Sequence, residues 1–368
     1  MYKNDRYRFS WFHSPKWRNR SWRNNNTKET ELKKEKKEEK EEEIKKESCS
    51  PPSAPPPGSE NLRKITIMTY NVMRDNLHEQ TNLCWKARVE RIYYLLLDIN
   101  PDICCLQECR DLEDGTTIEP FLQELAQQNN YEYDIHYDQE GYNEKKLKVV
   151  TLWKRDRFIS LQRQTFWLSP NYYTAIPAYE WNQKIARPLG VNRLQLIENN
   201  HIINIWNTHL GHQEKEKEQS AYLIPKVMSE WENYYSPSEE KKIQSSESSL
   251  ILGDFNFNNQ YGTAEYLCEI VAKSCEQYEL QDIGKYAKTI LYNLEVNGTY
   301  IGTSMDRIRP LPGTIGDRLD YIWGHNIRLT APTRIWNKAM IEPEPQPYLQ
   351  VLDIYPSDHF PLVAYLLL

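Results

Sequence analysis

From Lys64 the chain alternates: Ile65, Ile67 and Thr69 fall on one side, Thr66, Met68 and Tyr70 on the other, and the run ends at Asn71-Val72. A period of two predicts a strand that delivers Asn71 to its end. Trp85, Val89, Ile92, Tyr93 and Leu96 then recur at spacings of three and four, which predicts an amphipathic helix stopped by Asn100-Pro101. Ile103-Cys104-Cys105-Leu106 is apolar throughout, as a strand covered on both faces should be, and it ends at Gln107-Glu108. A second helix is expected over Pro120–Gln128 and strands over Tyr131–Tyr137 and Lys148–Trp153, with a loop at 141–146 between them. Phe166 to Gly190 is aromatic and aperiodic, a long loop of the kind that lines a site or is disordered. Arg193–Ile197 and His201–Trp206 predict a hairpin turning at Asn199-Asn200, its second strand ending in Asn207-Thr208-His209. A largely polar helix is expected over Gln213–Trp231, kinked or interrupted at Pro225, before a Ser/Glu/Lys-rich loop through Ser249. Leu250-Ile251-Leu252 is a buried strand running into Gly253-Asp254-Phe255-Asn256, Arg318–Trp323 is a later strand, and the apolar run after His359 is the last.

The first 60 residues read differently. Residues 1–30 show no period, 31–47 are nearly all Lys and Glu, and Pro51-Pro52-Ser53-Ala54-Pro55-Pro56-Pro57-Gly58 forbids helix. A disordered tail over 1–60 and one domain over 61–368 are therefore expected, with a basic targeting or docking arm around Arg18-Asn19-Arg20 as the functional alternative for the tail. The tail holds 15 Lys/Arg and 11 Asp/Glu, leaving 31 and 41 for the body, so the body is about −10. That balance disfavours long nucleic acid, whose binding is driven by cations neutralising phosphates, and leaves small or terminal phosphoesters. Seven cysteines lack metal-type spacing, and Cys104, Cys105 and Cys109 crowd one apolar stretch, which points to a reducing compartment. With neither a leader-like segment nor a run of about 18 apolar residues, the chain reads as soluble, intracellular (cytoplasmic or nuclear) and monomeric.

Six strands carry polar residues at or near their ends: Asn71, Glu108, Asn207 with His209, Asp254 with Asn256, Asp320, and Asp358 with His359. Singly, each is explained by a turn or a surface group. Together they need a shared destination, because buried charge is costly unless it is paired or binds metal. The set is rich in hard oxygen donors and contains no thiolate cluster, which suits Mg²⁺, with Mn²⁺ as the alternative.

The words Thr69-Tyr70-Asn71-Val72, Leu106-Gln107-Glu108, Asn207-Thr208-His209-Leu210, Gly253-Asp254-Phe255-Asn256, Arg318-Leu319-Asp320-Tyr321-Ile322 and Ser357-Asp358-His359 follow one another in an order that resembles the endonuclease/exonuclease/phosphatase family of metal-dependent phosphoesterases. Trp85 with Arg88, and Phe166-Trp167-Leu168-Ser169 with Arg187, look like a bacterial-type branch of it. The resemblance implies an α/β fold, a four-layer α/β/β/α sandwich of two stacked mixed sheets, deoxyribonuclease-like. It makes Glu108 the principal metal ligand with Asn71 and Asp358 close by, Asp320 the partner of His359, and Asn256 a donor to a phosphoryl oxygen. Asp254 would orient or deprotonate the attacking water, with the Asp320–His359 pair as the other candidate base, and His209 would be a donor or general acid. Asn207 and Arg187 would contact the substrate. The expected substrate is a phosphoester, nucleotide or oligonucleotide in kind; a lipid or sugar phosphoesterase and a non-catalytic binding member are the alternatives. Trp167, Tyr172, Tyr173, Tyr179 and Trp181 either stack on bases and sugars or form a packed loop core.

Overall fold

The structure is a computed structural model, and it describes residues 62–74, 85–110, 118–137, 147–235, 247–257, 263–273, 280–285, 289–291, 294–296, 299, 318–335 and 357–368. The chain divides into two units, Met1–Glu60 and Asn61–Leu368. The expectations for residues 1–60 and for the loop 141–146 lie outside the described residues.

The elements of the second unit are β1 (Lys64–Asn71), α1 (Trp85–Ile99), β2 (Ile103–Arg110), α2 (Glu119–Gln128), β3 (Tyr131–Tyr137), β4 (Leu147–Lys154), β5 (Phe158–Trp167), β6 (Pro188–Leu196), β7 (Ile202–His209), α3 (Glu214–Tyr235), β8 (Ser248–Asp254), α4 (Thr263–Lys273), β9 (Gln281–Asp282), β10 (Thr289–Leu291), β11 (Leu294–Val296), β12 (Asp320–His325), β13 (Arg328–Ile335) and β14 (Leu362–Leu367). They form two mixed six-stranded sheets, in the orders β13-β14-β1-β2-β4-β3 and β5-β6-β7-β8-β12-β9, beside a β10-β11 ribbon. In each sheet one central pair is parallel, β1 with β2 and β7 with β8, and the remaining pairs are antiparallel.

The alternation read from β1 sorts its side chains between two cores. Ile65 and Ile67 face the layer between the sheets, with Ile103, Leu194, Ile205, Leu252 and Leu362. Met68 and Tyr70 face the opposite way, under Trp85, Ile92 and Leu96 of α1 and Leu122 and Leu125 of α2. On the far side Trp206, Ile251, Tyr321 and Trp323 are covered by Val227, Met228 and Trp231 of α3 and Leu267 of α4. The layers are therefore helix, sheet, sheet, helix, each sheet hydrophobic on both faces. Asn200 takes a φ of 60°, the left-handed turn expected between β6 and β7.

Two readings are revised, and several elements were not anticipated. Phe166 to Gly190 is not loop throughout: Phe166 and Trp167 end β5, Pro188 begins β6, and only 168–187 connect them. Strand β5, which like β9, β10, β11 and β13 was not anticipated, lies at a sheet edge and exposes Ile159, Leu161 and Arg163, so it has no continuous apolar signal. Of the two outcomes expected at Pro225, a kink or an interruption, the interruption does not occur: the helix runs through that residue, which lies on the buried face with Ala221, Ile224 and Met228, where packing outweighs the missing N–H. The helix α4 was not anticipated.

Candidate active site

The topology explains why six strand ends meet. Parallel pairing of β7 with β8 sets His209 opposite Asp254, and antiparallel pairing of β12 with β8 sets Asp320 opposite the same Asp254. On the facing sheet, parallel pairing of β1 with β2 sets Asn71 opposite Gln107, one residue before Glu108, while β14, antiparallel to β1, brings the preceding Asp358-His359 to the same end. Strands entering from opposite directions thus bring residues from starts and ends alike to one edge of the sandwich.

Local devices then aim the side chains. Gly253 lets β8 approach β7 closely: a Cβ there would lie 2.0 Å from the Thr208 carbonyl oxygen. Glu108 sits where the register of β2 against β4 shifts between Leu106 and Cys109, and its φ of 58° is left-handed. A bulge of this kind re-aims a side chain and persists only where surrounding contacts enforce it. The Asn71 amide nitrogen donates to Glu108 Oε1 at 3.2 Å and to Asp254 Oδ2 at 2.9 Å, and the Arg74 N–H donates to Glu108 Oε2 at 2.9 Å. The Met73 N–H occupies Asn71 Oδ1 at 2.9 Å, so this amide turns its nitrogen, not the oxygen a metal would need, toward the carboxylates. Arg88, fully buried, holds that loop by donating to the Val72 and Met73 carbonyls at 2.6 and 2.8 Å.

The other half is built around His359. Its Nδ1 bonds Asp320 Oδ2 at 2.7 Å, and its Nε2 lies 3.7 Å from Asp254 Oδ2. Ser357 Oγ donates to the Asn71 carbonyl at 2.6 Å and accepts the His359 N–H at 3.2 Å, tying the segment before β14 to the end of β1, its neighbour in the same sheet. His209 Nε2 lies 3.6 Å from Asp254 Oδ2 and 4.0 Å from Glu108 Oε1; it is buried and has no hydrogen-bond partner among the described residues. Two groups of potential donors result, Glu108 with His209 and Asp254, and Asp254 with Asp320 and His359, each with its ligating atoms within 4.8 Å of one another. Asp358, expected near the metal, belongs to neither group.

The electrostatics follow from burial and pairing. Burial pushes the Asp254 carboxyl up to about 7, with Asp320 adding to the rise and His359 opposing it. Burial resists charging of the His359 ring, but Asp320, with Asp254 and Asp358, overcomes this and raises it to about 10. Burial, reinforced by Arg187, holds His209 down to about 3. Burial also opposes ionisation of Glu108, yet His209, the Arg74 N–H and the Asn71 amide hold it down to about 2. At neutral pH the site therefore contains an anionic Glu108, a neutral His209, a cationic His359 and an Asp254 poised to exchange a proton.

The remaining expected residues are placed less directly. Asn256 is in the left-handed region (φ 53°); its amide donates to the Leu210 carbonyl at 2.8 Å and its N–H to Asp254 Oδ1 at 2.9 Å, so it holds the turn beside Asp254. Asn207 is fully buried between the sheets, accepting from Gln107 Nε2 at 2.9 Å and donating to the Val150 carbonyl at 3.0 Å. Arg187 is half-buried just before β6, acts electrostatically on His209, His212 and Glu216, and has no ion-pair partner among the described residues. Of the aromatics, Trp181 is packed into the core and Tyr172 against it, whereas Tyr173 and Tyr179 are 62% and 75% exposed.

Two supports were invisible in the sequence. Lys217, in a stretch that reads as a solvated helix face, is buried and donates to the Asn256 carbonyl at 3.1 Å. Next to it, the Glu216 carboxylate accepts from Gln183 at 3.2 Å and fills space that a Cβ on Gly211 would occupy. Gly211 was the available signal.

The model of the Endonuclease/Exonuclease/phosphatase family matches residues 68–359. An uncharacterised protein of Acanthamoeba polyphaga mimivirus is 23% identical over 199 residues, covering 53% of this chain and 68% of its own. The endonuclease/exonuclease/phosphatase from Bacteroides vulgatus superimposes with a TM-score of 0.58 at 20% identity, covering 83% of this chain and 98% of its own. A mannosyl-6-phosphatase of Bacteroides thetaiotaomicron gives 0.58 at 17%, covering 82% and 99%. Among the described residues no helix is long and apolar enough to cross a membrane.

Proposed function

The chain belongs to the endonuclease/exonuclease/phosphatase family of phosphoesterases, and from that premise we propose that it is a Mg²⁺-dependent phosphodiesterase acting on small or single-stranded nucleotide substrates. The observation that carries the reading is the position of Asp254, 3.6 Å from His209 and 3.7 Å from His359, with Glu108 and Asp320 on either side.

The donor set fits a hard divalent cation: two carboxylates converge beside a buried imidazole nitrogen that has no hydrogen-bond partner among the described residues. Glu108 would hold it, with Asp254 in reach, Asp358 flanking, and Asn71 fixing the carboxylates through its amide. A bound cation supplies neutralisation of the non-bridging phosphoryl oxygens. Asp254 takes a proton from the attacking water, a task its position near neutrality suits. His359, already protonated, is not the base; held by Asp320, it presents Nε2–H to a phosphoryl oxygen as charge builds there. His209 faces the same space as a neutral hydrogen-bond donor. Water adds to phosphorus, one ester P–O bond breaks, and the proton that Asp254 drew from the water passes to the departing oxygen, leaving a phosphomonoester and an alcohol. Arg187 would bind a substrate anion, and the exposed Tyr173 and Tyr179 on the same connection support a base or sugar beside the phosphate.

The test is hydrolysis of bis-p-nitrophenyl phosphate with Mg²⁺ or Mn²⁺. Chelation should abolish turnover, and Asp254→Asn should lower kcat about 10²–10⁴-fold; activity unchanged in Glu108→Ala or His359→Ala would sink the reading. The similarity to a mannosyl-6-phosphatase favours a sugar phosphate as the second reading. A panel of oligonucleotides, nucleotides and hexose phosphates separates the two.

A further inference from the structure

We propose that Thr299, which no motif singled out, is a positioning residue for the Asp320–His359 pair; the inference rests on the hydrolytic reading above. Asp320 belongs to one sheet and His359 leads into a strand of the other, so no strand ladder sets the distance between them. Thr299 spans that gap. Its Oγ1 accepts the N–H of Leu319 at 3.1 Å and of Asp320 at 3.0 Å, and its carbonyl oxygen accepts the N–H of Phe360 at 2.7 Å. One residue, 1% exposed, thus ties the entry into β12 to the residue after His359.

The chemistry of those contacts selects threonine or serine. Leu319 precedes β12 and Asp320 begins it, their N–H groups go to Thr299, and both are buried there. A hydroxyl oxygen has two lone pairs and can accept both; valine, of nearly the same shape, accepts neither. Loss of that acceptor frees the Asp320 backbone, and with it the carboxylate that fixes the His359 ring.

The experiment compares Thr299→Val with Thr299→Ser in the full chain. Thr299→Val should lower kcat at least about tenfold through misplacement of the ring, with KM changed less than about twofold. It should also weaken or shift the low-field NMR resonance of the imidazole proton shared with Asp320. Thr299→Ser, which keeps the hydroxyl and loses the methyl, should restore both. If the valine variant does not fold, Thr299→Ala against Thr299→Ser makes the same comparison. Wild-type kcat and an unshifted resonance in the valine variant, or equal losses in valine and serine, would overturn the proposal. If His359→Ala turns over as fast as wild type, the hydrolytic reading itself fails, while the resonance still decides whether Thr299 holds the pair.

Discussion

Gly253→Ala tests whether the close approach of β7 and β8 builds the site. The added Cβ would lie 2.0 Å from the Thr208 carbonyl oxygen and 3.0 Å from its carbon, both backbone atoms of the paired strand, so no rotamer change relieves the contact. Ordinary carbon–oxygen contact requires roughly 1 Å or more of separation between the strands, at the register where Thr208 faces Gly253 and His209 faces Asp254. Overpacking of this kind costs about 1–3 kcal/mol, and the ladder hydrogen bonds beside it contribute about 1 kcal/mol each. A loss of about 3–5 kcal/mol is expected, a large share of the roughly 5–15 kcal/mol typical of a domain. Urea unfolding should show a lower midpoint with an unchanged m value. Turnover per folded molecule should fall as well, since the displaced segment carries Asp254. A loss below about 1 kcal/mol with wild-type turnover would refute the claim that this contact sets His209 against Asp254.

Further perturbations probe other supports. Glu232, which accepts a hydrogen bond from Ser249, is pushed by burial up to about 7. Its folded value lies above the usual one, so stability is greatest at low pH and is lost as pH rises from about 4.5 through 7, by up to ~3 kcal/mol. Glu232→Gln should flatten that part of the stability–pH curve in chemical unfolding, and a curve parallel to wild type would contradict the assignment. Lys217→Met keeps the buried stem and removes the donor to the Asn256 carbonyl, leaving the exposed Glu214 solvated. Steady-state kinetics should show a fall in kcat of about tenfold, with stability within about 1 kcal/mol, because the buried charge is itself costly; an unchanged kcat removes Lys217 from the support. Deleting residues 1–60 should leave turnover intact, and a collapse of activity would show that the tail takes part.

The covering of these strands was legible because hydrophobic period reports which faces of an element are buried: β1 alternates between two cores, and the unbroken apolar runs of β2 and β8 belong to strands roofed on both sides, whereas the four-layer order came from the resemblance to the family. The strand β5 escaped because an edge strand is half-solvated, and the continuity of α3 through Pro225 because burial overrode a local penalty. Site membership was legible as polar residues ending apolar strands, a pattern whose cost demands a common destination.

By itself, then, the sequence determined the residue types at the strand ends and the covering of the central strands, since both are properties of single segments. Only the tertiary structure decided how those groups divide their work. Asn71 turns its nitrogen toward the carboxylates because the Met73 N–H holds its oxygen, Asn207 is drawn into the seam between the sheets, and Asp254 stands between two histidines, one neutral and one charged. Such roles depend on hydrogen-bond partners and on charges brought together from both sheets, and no local pattern encodes them.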